Sequence, residues 1–256
     1  MIKYEDFRRG FEIVYKLFLP PVCYSCRAPV VEHGGFCSPC WQKIKFITPP
    51  YCDRLGIPFP YDPGCDFISP RALANPPFFE RARGAFIYED FGRSCIHQLK
   101  YGRQLHLVKP ISTWMMAAGK DVLLDCDILI PIPLSWRRLW ARRFNQATKL
   151  AENISKMRDI PISYHALQRI RHTRTQVGLA ANQRAKNVSG AFSINLDYLD
   201  DIAGKNCLLV DDVFTSGATA NACTKTLLKA GAKKVDILVA AIVCQQGPEV
   251  LIENPS

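Results

Sequence analysis

Apolar runs and helix-spaced apolar residues alternate along the C-terminal half of the chain. The runs have the length and aliphatic composition of buried strands, and they cover residues 127–133, 208–210 and 235–243. Between the last two runs, Ala220, Cys223 and Leu227 recur at the spacing of one helix face, and Gly231 follows as a stop signal. An earlier helix is predicted from Phe144, Ala147, Leu150, Ala151 and Ile154. The alternation predicts βαβ units and a mostly parallel sheet from about residue 120 to 243.

The first eighty residues have other patterns, and the chain divides into four predicted segments. Residues 1–20 carry apolar side chains at helical spacing before two prolines, which predicts a packing helix. A membrane-surface helix is the alternative, but the mixed charges lack the basic polar face that such helices favour. Residues 21–46 contain paired cysteines, and residues 47–80, rich in proline, glycine and aromatics, are expected to link or wrap. Residues 81–256 then form the α/β domain.

The composition of the chain limits the classes of binding partner and the cellular location that we expect. The 256 residues are 48% hydrophobic, which suffices for a substantial core, and the net charge of +10 favours polyanions such as nucleic acid or phosphorylated substrates. Charges interrupt the apolar residues of segment 1–20, which argues against a signal-peptide core or a membrane span there. We therefore expect a cytoplasmic protein whose eleven cysteines are metal ligands or free thiols rather than disulfides.

Four cysteines have the spacing of a zinc site. Cys23 and Cys26 form one CxxC pair, and Cys37 and Cys40 form another. Two such turns supply the four thiolates of a closed, structural zinc site. Redox thiols and an iron–sulfur centre are the alternatives.

Two further cysteines stand alone in the segment 47–80. Leu55 and Ile68 occupy the positions three residues after Cys52 and Cys65, so neither thiol has a CxxC partner. We expect Cys52 and Cys65 to be inert thiols rather than ligands of a second metal.

An acidic pair and a hydroxyl-rich turn follow the run 208–210. Asp211 and Asp212 come at the carboxyl end of the predicted strand, where ligands bind in open α/β sheets. The turn comprises Thr215, Ser216, Gly217 and Thr219. It opens the next helix, where free N–H groups and the helix dipole favour an anion such as phosphate. The carboxylates would repel that phosphate, so we expect them to bind the hydroxyls of a sugar that carries it. A βα turn with incidental aspartates is the alternative.

The stretch VDDVFTSGAT resembles the phosphoribosyl pyrophosphate (PRPP) motif of type I phosphoribosyltransferases. The resemblance implies their Rossmann-like, mostly parallel sheet, with Asp211 and Asp212 on the ribose hydroxyls at the catalytic centre. It assigns the 5′-phosphate to Thr215, Ser216, Gly217, Ala218 and Thr219. It also implies Mg²⁺ bound with PRPP, held mainly by the pyrophosphate, with the carboxylates acting through water.

Arginines cluster after the run 127–133, which suggests an anion-binding loop at the end of a second strand. In the resembling transferases this loop grips the pyrophosphate. The resemblance therefore implies that role for Ser135, Trp136, Arg137 and Arg138. Arg142, Arg143 and Asn145 are predicted in the first turn of the next helix, close to the same anion. Arginines there oppose the helix dipole, and an anionic ligand would explain them.

Two other basic stretches are candidates for anion binding. Residues 169–191 lack strong periodicity, and a long loop of this kind is typical of a lid that excludes water during glycosyl transfer. Arg184 in this lid is the candidate for stabilising the leaving pyrophosphate. Lys100 and Arg103 could contact a phosphate or nucleic acid, or they could belong to a solvated basic face.

Five blocks in order resemble the ComF (ComFC) family, cytoplasmic competence-associated proteins that join an N-terminal zinc finger to a phosphoribosyltransferase-like domain. The blocks are CYSC with CSPC, HQLKYG, PIPLSWRRLWARRFNQA, TRTQVGLAANQRAKNVSGAF and LLVDDVFTSGAT. The chain departs from the family pattern at Arg143, where a glycine is usual. It also departs at Cys52 and Cys65, since members often carry further CxxC pairs.

Three functions stay open. The family resemblance implies a PRPP-binding protein in DNA uptake during natural transformation, which handles single-stranded DNA or contacts a helicase-like partner. An active phosphoribosyltransferase on a nucleobase-like acceptor is the second, and a PRPP-sensing structural or DNA-binding protein without catalysis is the third. No aromatics are evident between the basic runs, which argues against a dedicated single-strand groove.

Overall fold

The computed structural model describes residues 21–31, 35–62, 64, 67–101, 104–171 and 190–244. The predicted helix over residues 1–20 lies outside these ranges. The helices are α1 Ser38–Trp41, α2 Pro70–Ala74, α3 Asp90–Tyr101, α4 Val108–Ala118, α5 Lys120–Leu124, α6 Trp136–Arg142, α7 Gln146–Arg158 and α8 Ala218–Lys229. The strands are β1 Ala82–Ile87, β2 Ile128–Pro131, β3 Leu167–Arg169, β4 Phe192–Ile194, β5 Asn206–Phe214 and β6 Lys234–Ile242. Within the described residues, no helix has the length and apolar character needed to cross a membrane.

Strands β1, β6, β5 and β2 form one parallel sheet in that order. Side chains of β5 alternate between two hydrophobic clusters. Cys207 and Leu209 pack on the face covered by α8, whereas Leu208 and Val210 pack on the face covered by α4 and α7. Burial on both faces explains why the strand reads as a continuous apolar run. The predicted parallel sheet is confirmed.

The strand order reverses between β2 and β5. After α7 the chain returns to the outer side of β2, where the Leu129 N–H donates to Pro161 O at 2.8 Å and the Ser163 N–H donates to Leu129 O at 3.0 Å. After β5, helix α8 leads instead to β6 on the opposite side. Such a reversal opens a crevice at the carboxyl ends of the two strands, where ligands bind in open α/β sheets.

Strand β5 is longer than its apolar run suggests. Its register with β2 ends at Val210, but its register with β6 continues through Phe214. The acidic pair therefore lies inside β5 rather than after it, because pairing with β6 holds these residues extended. The early end of the β2 register exposes this part of β5 to the crevice.

The cysteine-rich unit shares a core with the sheet. The Trp114 ring of α4 lies 5.5 Å from the ring of Phe36, 5.6 Å from Trp41 and 5.3 Å from Phe46, measured between centroids. A backbone hydrogen bond also joins the end of this unit to the sheet, because the Ile47 N–H donates to the carbonyl of Ala85 in β1 at 3.0 Å. The described residues of the segment 21–46 are thus packed against the edge strand and α4.

The segment 47–80 also packs on the sheet. Ile47, Cys52, Leu55, Ala72 and Phe79 are buried in the cluster that includes α8. The segment expected to link or wrap therefore supplies a substantial part of one core.

Candidate functional site

The four predicted metal ligands lie together. The Sγ atoms of Cys23, Cys26, Cys37 and Cys40 are all within 4.8 Å of one another, and those of Cys26 and Cys37 are 3.4 Å apart. A zinc ion with four Zn–S bonds of about 2.3 Å requires sulfur–sulfur distances of about 3.8 Å. The cluster therefore fits zinc, and four thiolates leave no open position for catalysis.

The metal-binding turn at Cys23 has a counterpart at Cys52. Each cysteine N–H donates to the carbonyl five residues on, at 2.7 and 2.8 Å, and the residue four positions on has φ of +63° and +64°. That residue donates its N–H back to the cysteine carbonyl at 3.1 and 2.7 Å. Leu55 stands where the first turn has Cys26, and it is only 6% exposed. The second turn keeps the backbone of a zinc knuckle but places an apolar side chain at a ligand position.

A cavity of about 650 Å³ opens at the ends of β2 and β5. Its walls include seven of the predicted site residues. They are Arg138, Arg142, Asp211, Asp212, Thr215, Gly217 and Thr219. The ribose, 5′-phosphate and pyrophosphate candidates thus border one space, at the reversal of strand order. Among the residues that the structure describes, the cavity lining does not include the other predicted residues of the two anion sites, which are Ser135, Trp136, Arg137, Ser216 and Ala218.

Lys100 neutralises part of the acidic pair. Its Nζ lies 2.8 Å from Asp212 Oδ1, and the two side chains are only 16% and 11% exposed. The alternative of a solvated basic face is therefore wrong for Lys100. Arg103 lies outside the described residues.

Asp211 carries an unusual carboxyl. Its Oδ1 accepts the Asp212 N–H at 2.8 Å. Burial and the neighbouring Asp212 carboxylate raise the pKa of Asp211 to about 7, against the opposing effects of the Asp212 N–H hydrogen bond, Lys100 and Arg142. In the absence of a ligand, Asp211 therefore titrates near neutral pH.

A hydrogen-bonded chain positions Lys100. The side chain of Gln146, which is fully buried, donates from Nε2 to Lys100 O at 3.5 Å and accepts from an Arg142 guanidinium nitrogen at 3.2 Å. Arg142 also donates to Tyr101 Oη at 3.1 Å and stacks on that ring at 5.0 Å. The sequence blocks HQLKYG and RRFNQ thus meet at the acidic pair. Sequence reasoning missed this because it depends on contacts between distant parts of the chain.

The turn after β5 has the geometry of an anion cradle. Gly217 caps α8 with φ of +80°, and a Cβ there would lie 2.9 Å from Cζ of Phe214. Glycine is required both by the conformation and by that ring. The first N–H groups of α8 have no partner within the helix, and the dipole adds positive potential. Arg71 of α2 donates to Ser216 O at 3.4 Å, so the segment 47–80 reaches this turn.

The predicted pyrophosphate loop is mostly helix. Ser135 is the buried N-cap of α6, and Trp136, Arg137 and Arg138 form its first turn. The positions of Arg142 and Arg143 in the next helix are also wrong. Arg142 ends α6, which separates both arginines from α7.

Arg143 creates the break between the two helices. It has φ of +65°, and its N–H donates to Leu139 O at 2.7 Å. Asn145 then caps α7, accepting the Ala147 N–H at 3.1 Å. The left-handed conformation costs a non-glycine residue about 1–2 kcal/mol, which is why a glycine suits this position.

The basic segment 169–191 is described only at its ends. Arg184 lies outside the described residues, as do residues 172–189. At the start, Arg169 in β3 lines the cavity and stacks over Phe192 of β4 at 5.2 Å. Burial, followed by the charge of Arg138, lowers the pKa of Arg169. Arg169 was not predicted, and no local signal distinguishes it from the other arginines of this segment.

Comparisons with known proteins identify the two units. Residues 14–69 match the double zinc ribbon domain, and residues 147–250 match the phosphoribosyl transferase domain. Competence protein F of Haemophilus influenzae is 29% identical over 222 residues, which cover 84% of this chain and 94% of that protein. DNA utilization protein YhgH of Escherichia coli strain K12 is 30% identical over 227 residues, which cover 86% of this chain and 96% of that protein. Competence protein ComFC of Bacillus subtilis strain 168 is 25% identical over 214 residues, covering 82% and 79% respectively. The matches confirm the predicted fold class and the structural zinc unit.

Proposed function

The chain belongs to the family of competence protein F and the DNA utilization protein YhgH, and on this premise we propose that it is a PRPP-binding, phosphoribosyltransferase-like protein of DNA uptake. The observation that carries the proposal is the cavity at the ends of β2 and β5. An acidic pair, a glycine turn at a helix start and arginines surround one space large enough for a phosphosugar.

Each wall of the cavity suits one part of PRPP. Asp212 and Asp211 would accept hydrogen bonds from the ribose hydroxyls, with Asp211 ionised for this purpose. The turn around Gly217 would hold the 5′-phosphate through backbone N–H groups. Arg138 and Arg142 would face the pyrophosphate, and Arg184 is proposed to join them.

A metal ion would offset the negative charges of the pyrophosphate and the nearby carboxylates. Mg²⁺ is proposed to bind with the pyrophosphate, and the carboxylates would reach it through water. Lys100 would have to share Asp212 with the sugar or move away. Binding of the ligand is therefore expected to exchange one ion pair for hydrogen bonds to the ribose.

The role in DNA use rests on the names of the relatives and on charge. The relatives are called competence proteins and a DNA utilization protein, and the net charge of +10 suits a nucleic acid. We propose a cytoplasmic location, with single-stranded DNA or a helicase-like protein as the partner.

Calorimetry with PRPP and Mg²⁺ tests the donor site. Asp212→Asn should weaken binding about tenfold to a hundredfold, since a charged hydrogen bond contributes about 1.5 to 3 kcal/mol. The exposed Asp200→Ala is the matched control and should bind like the wild type. Equal affinities in all three proteins would refute the placement. Pyrophosphate release with a panel of nucleobases then separates a transferase from a PRPP-binding protein.

A further inference from the structure

Helix α6 presents two tryptophans to solvent. Trp136 is 60% exposed and Trp140 is 81% exposed, and no residue of the helix is buried. The two positions are four apart, so the side chains lie on the same face. A large exposed aromatic surface is informative because folding alone gives no reason for it.

Exposed arginines flank these rings in the sequence. Arg137 and Arg143 are exposed, and the Arg137 guanidinium lies over the Trp136 ring at 5.4 Å. A positively charged surface with aromatic rings that accept stacked bases is typical of proteins that bind single strands. Contrary to the expectation from the sequence, Trp136 and Trp140 stand among arginines in residues 136–143, and the structure exposes both rings. An uncharged bilayer or an apolar protein surface would fit less well, because neither provides counter-charge for the arginines.

We propose that the outer face of α6, with Trp136, Arg137 and Trp140, forms a stacking surface for single-stranded DNA together with the adjoining Arg143. The choice of DNA rests on the proposed function. Four residues of helix rise about 6 Å, within reach of neighbouring bases of an unstacked strand. The phosphates would lie against the arginines.

The same helix has a second face toward the PRPP cavity. Arg138, Ala141 and Arg142 line that cavity. One short helix would therefore separate a DNA strand from the sugar phosphate. If binding of one ligand shifts α6, it changes the affinity for the other ligand. The second ligand then changes the affinity for the first by the same factor, because coupling between binding sites is reciprocal.

Fluorescence anisotropy of a labelled oligo(dT) of about 16 nucleotides tests the surface. Trp140→Ala should weaken binding about fivefold to a hundredfold, the range for loss of one stacked base. Trp140→Phe keeps a ring and should retain most of the affinity. Tyr61→Ala removes an aromatic side chain that is 69% exposed elsewhere, and it should bind like the wild type.

Two further readouts make the outcomes distinct. The salt dependence, with a slope of about −0.7 per phosphate contact, should not change in Trp140→Ala because the lost ring carries no charge. PRPP affinity should also stay the same, which verifies folding. Equal DNA binding by wild type and Trp140→Ala would overturn the inference and leave the proposed function intact.

The remaining outcomes are equally decisive. A wild type that binds PRPP but not oligo(dT) would overturn both the α6 surface and direct strand binding, while the donor site would stand. Binding to vesicles of phosphatidylserine and phosphatidylcholine tests whether the surface contacts a membrane instead. Trp140-dependent binding to these vesicles with unchanged DNA binding would assign the surface to a membrane and overturn the inference.

Discussion

Replacing Asp211 by asparagine should stabilise the ligand-free protein at pH 8 and weaken PRPP binding. The folded pKa of about 7 lies above the ordinary value of 3.8, so the folded state binds more protons between these values. The contribution of Asp211 to stability therefore falls as the pH rises from about 4 to about 7. The amide of the Asp211→Asn variant would keep the acceptor for the Asp212 N–H but carry no charge.

The magnitude follows from the two pKa values. Their difference corresponds to about 4 kcal/mol at full ionisation, since one pKa unit equals about 1.4 kcal/mol. Relaxation of the cavity and entry of water reduce this to the order of 2 to 4 kcal/mol at pH 8. In a protein of this size that gain raises the Tm by roughly 4 to 16 °C.

Thermal unfolding of both proteins between pH 5 and pH 8 is the assay. The stabilisation of Asp211→Asn should grow across this range and level off above pH 7. Asp125→Asn is a control of opposite sign, because Lys234 and then Arg81 lower the pKa of Asp125. That variant should be less stable than the wild type at pH 8. A pH-independent difference for Asp211→Asn, or a loss of stability at pH 8, would refute the reasoning.

Three other substitutions test the remaining features. Cys23→Ser should lose the single zinc and, because the zinc unit packs on α4, lower the Tm of the whole protein. Metal analysis and calorimetry measure the two effects. Wild-type protein that contains no zinc after growth in zinc-replete medium would contradict this prediction. Leu55→Cys combined with Ile68→Cys should raise the zinc content from one to two per chain by restoring the second pair of CxxC motifs, and an unchanged content would show that the second turn cannot bind metal. Gly217→Val should lower the free energy of unfolding by about 2 kcal/mol or more and abolish PRPP binding. The valine would have to adopt the left-handed backbone conformation, and its side chain would meet the Phe214 ring. Denaturant unfolding and calorimetry measure the two effects, and wild-type values of both would exclude the strain.

The parallel sheet and the zinc ligands could be predicted because their signals are local. A strand buried on both faces is apolar throughout, and the CxxC spacing fixes two sulfurs per turn. The pairing of Lys100 with Asp212 could not be predicted, since it depends on where α3 packs relative to β5. Only the folded chain brings the two side chains together.

The helix break at Arg143 escaped prediction for a different reason. Arginine is not a turn former, so the left-handed residue that ends α6 gave no signal. The second knuckle was missed because, of the two ligand positions in that turn, only Cys52 is retained, and its backbone hydrogen bonds carry the similarity. In both places the backbone conformation persists although the residue type that usually marks it has changed.

The burial of Trp114 also distinguishes its fluorescence from that of the exposed Trp136 and Trp140, with the half-exposed Trp41 between them. Trp114 is 9% exposed and touches Trp41 beneath the cysteine unit, whereas Trp136 and Trp140 face water. Emission from the enclosed indole is expected at shorter wavelengths than emission from the two wetted ones. Removal of the metal should shift the short-wavelength component, and a strand on α6 should quench the long-wavelength one. A single spectrum of the unlabelled protein can therefore report on both the cysteine unit and α6.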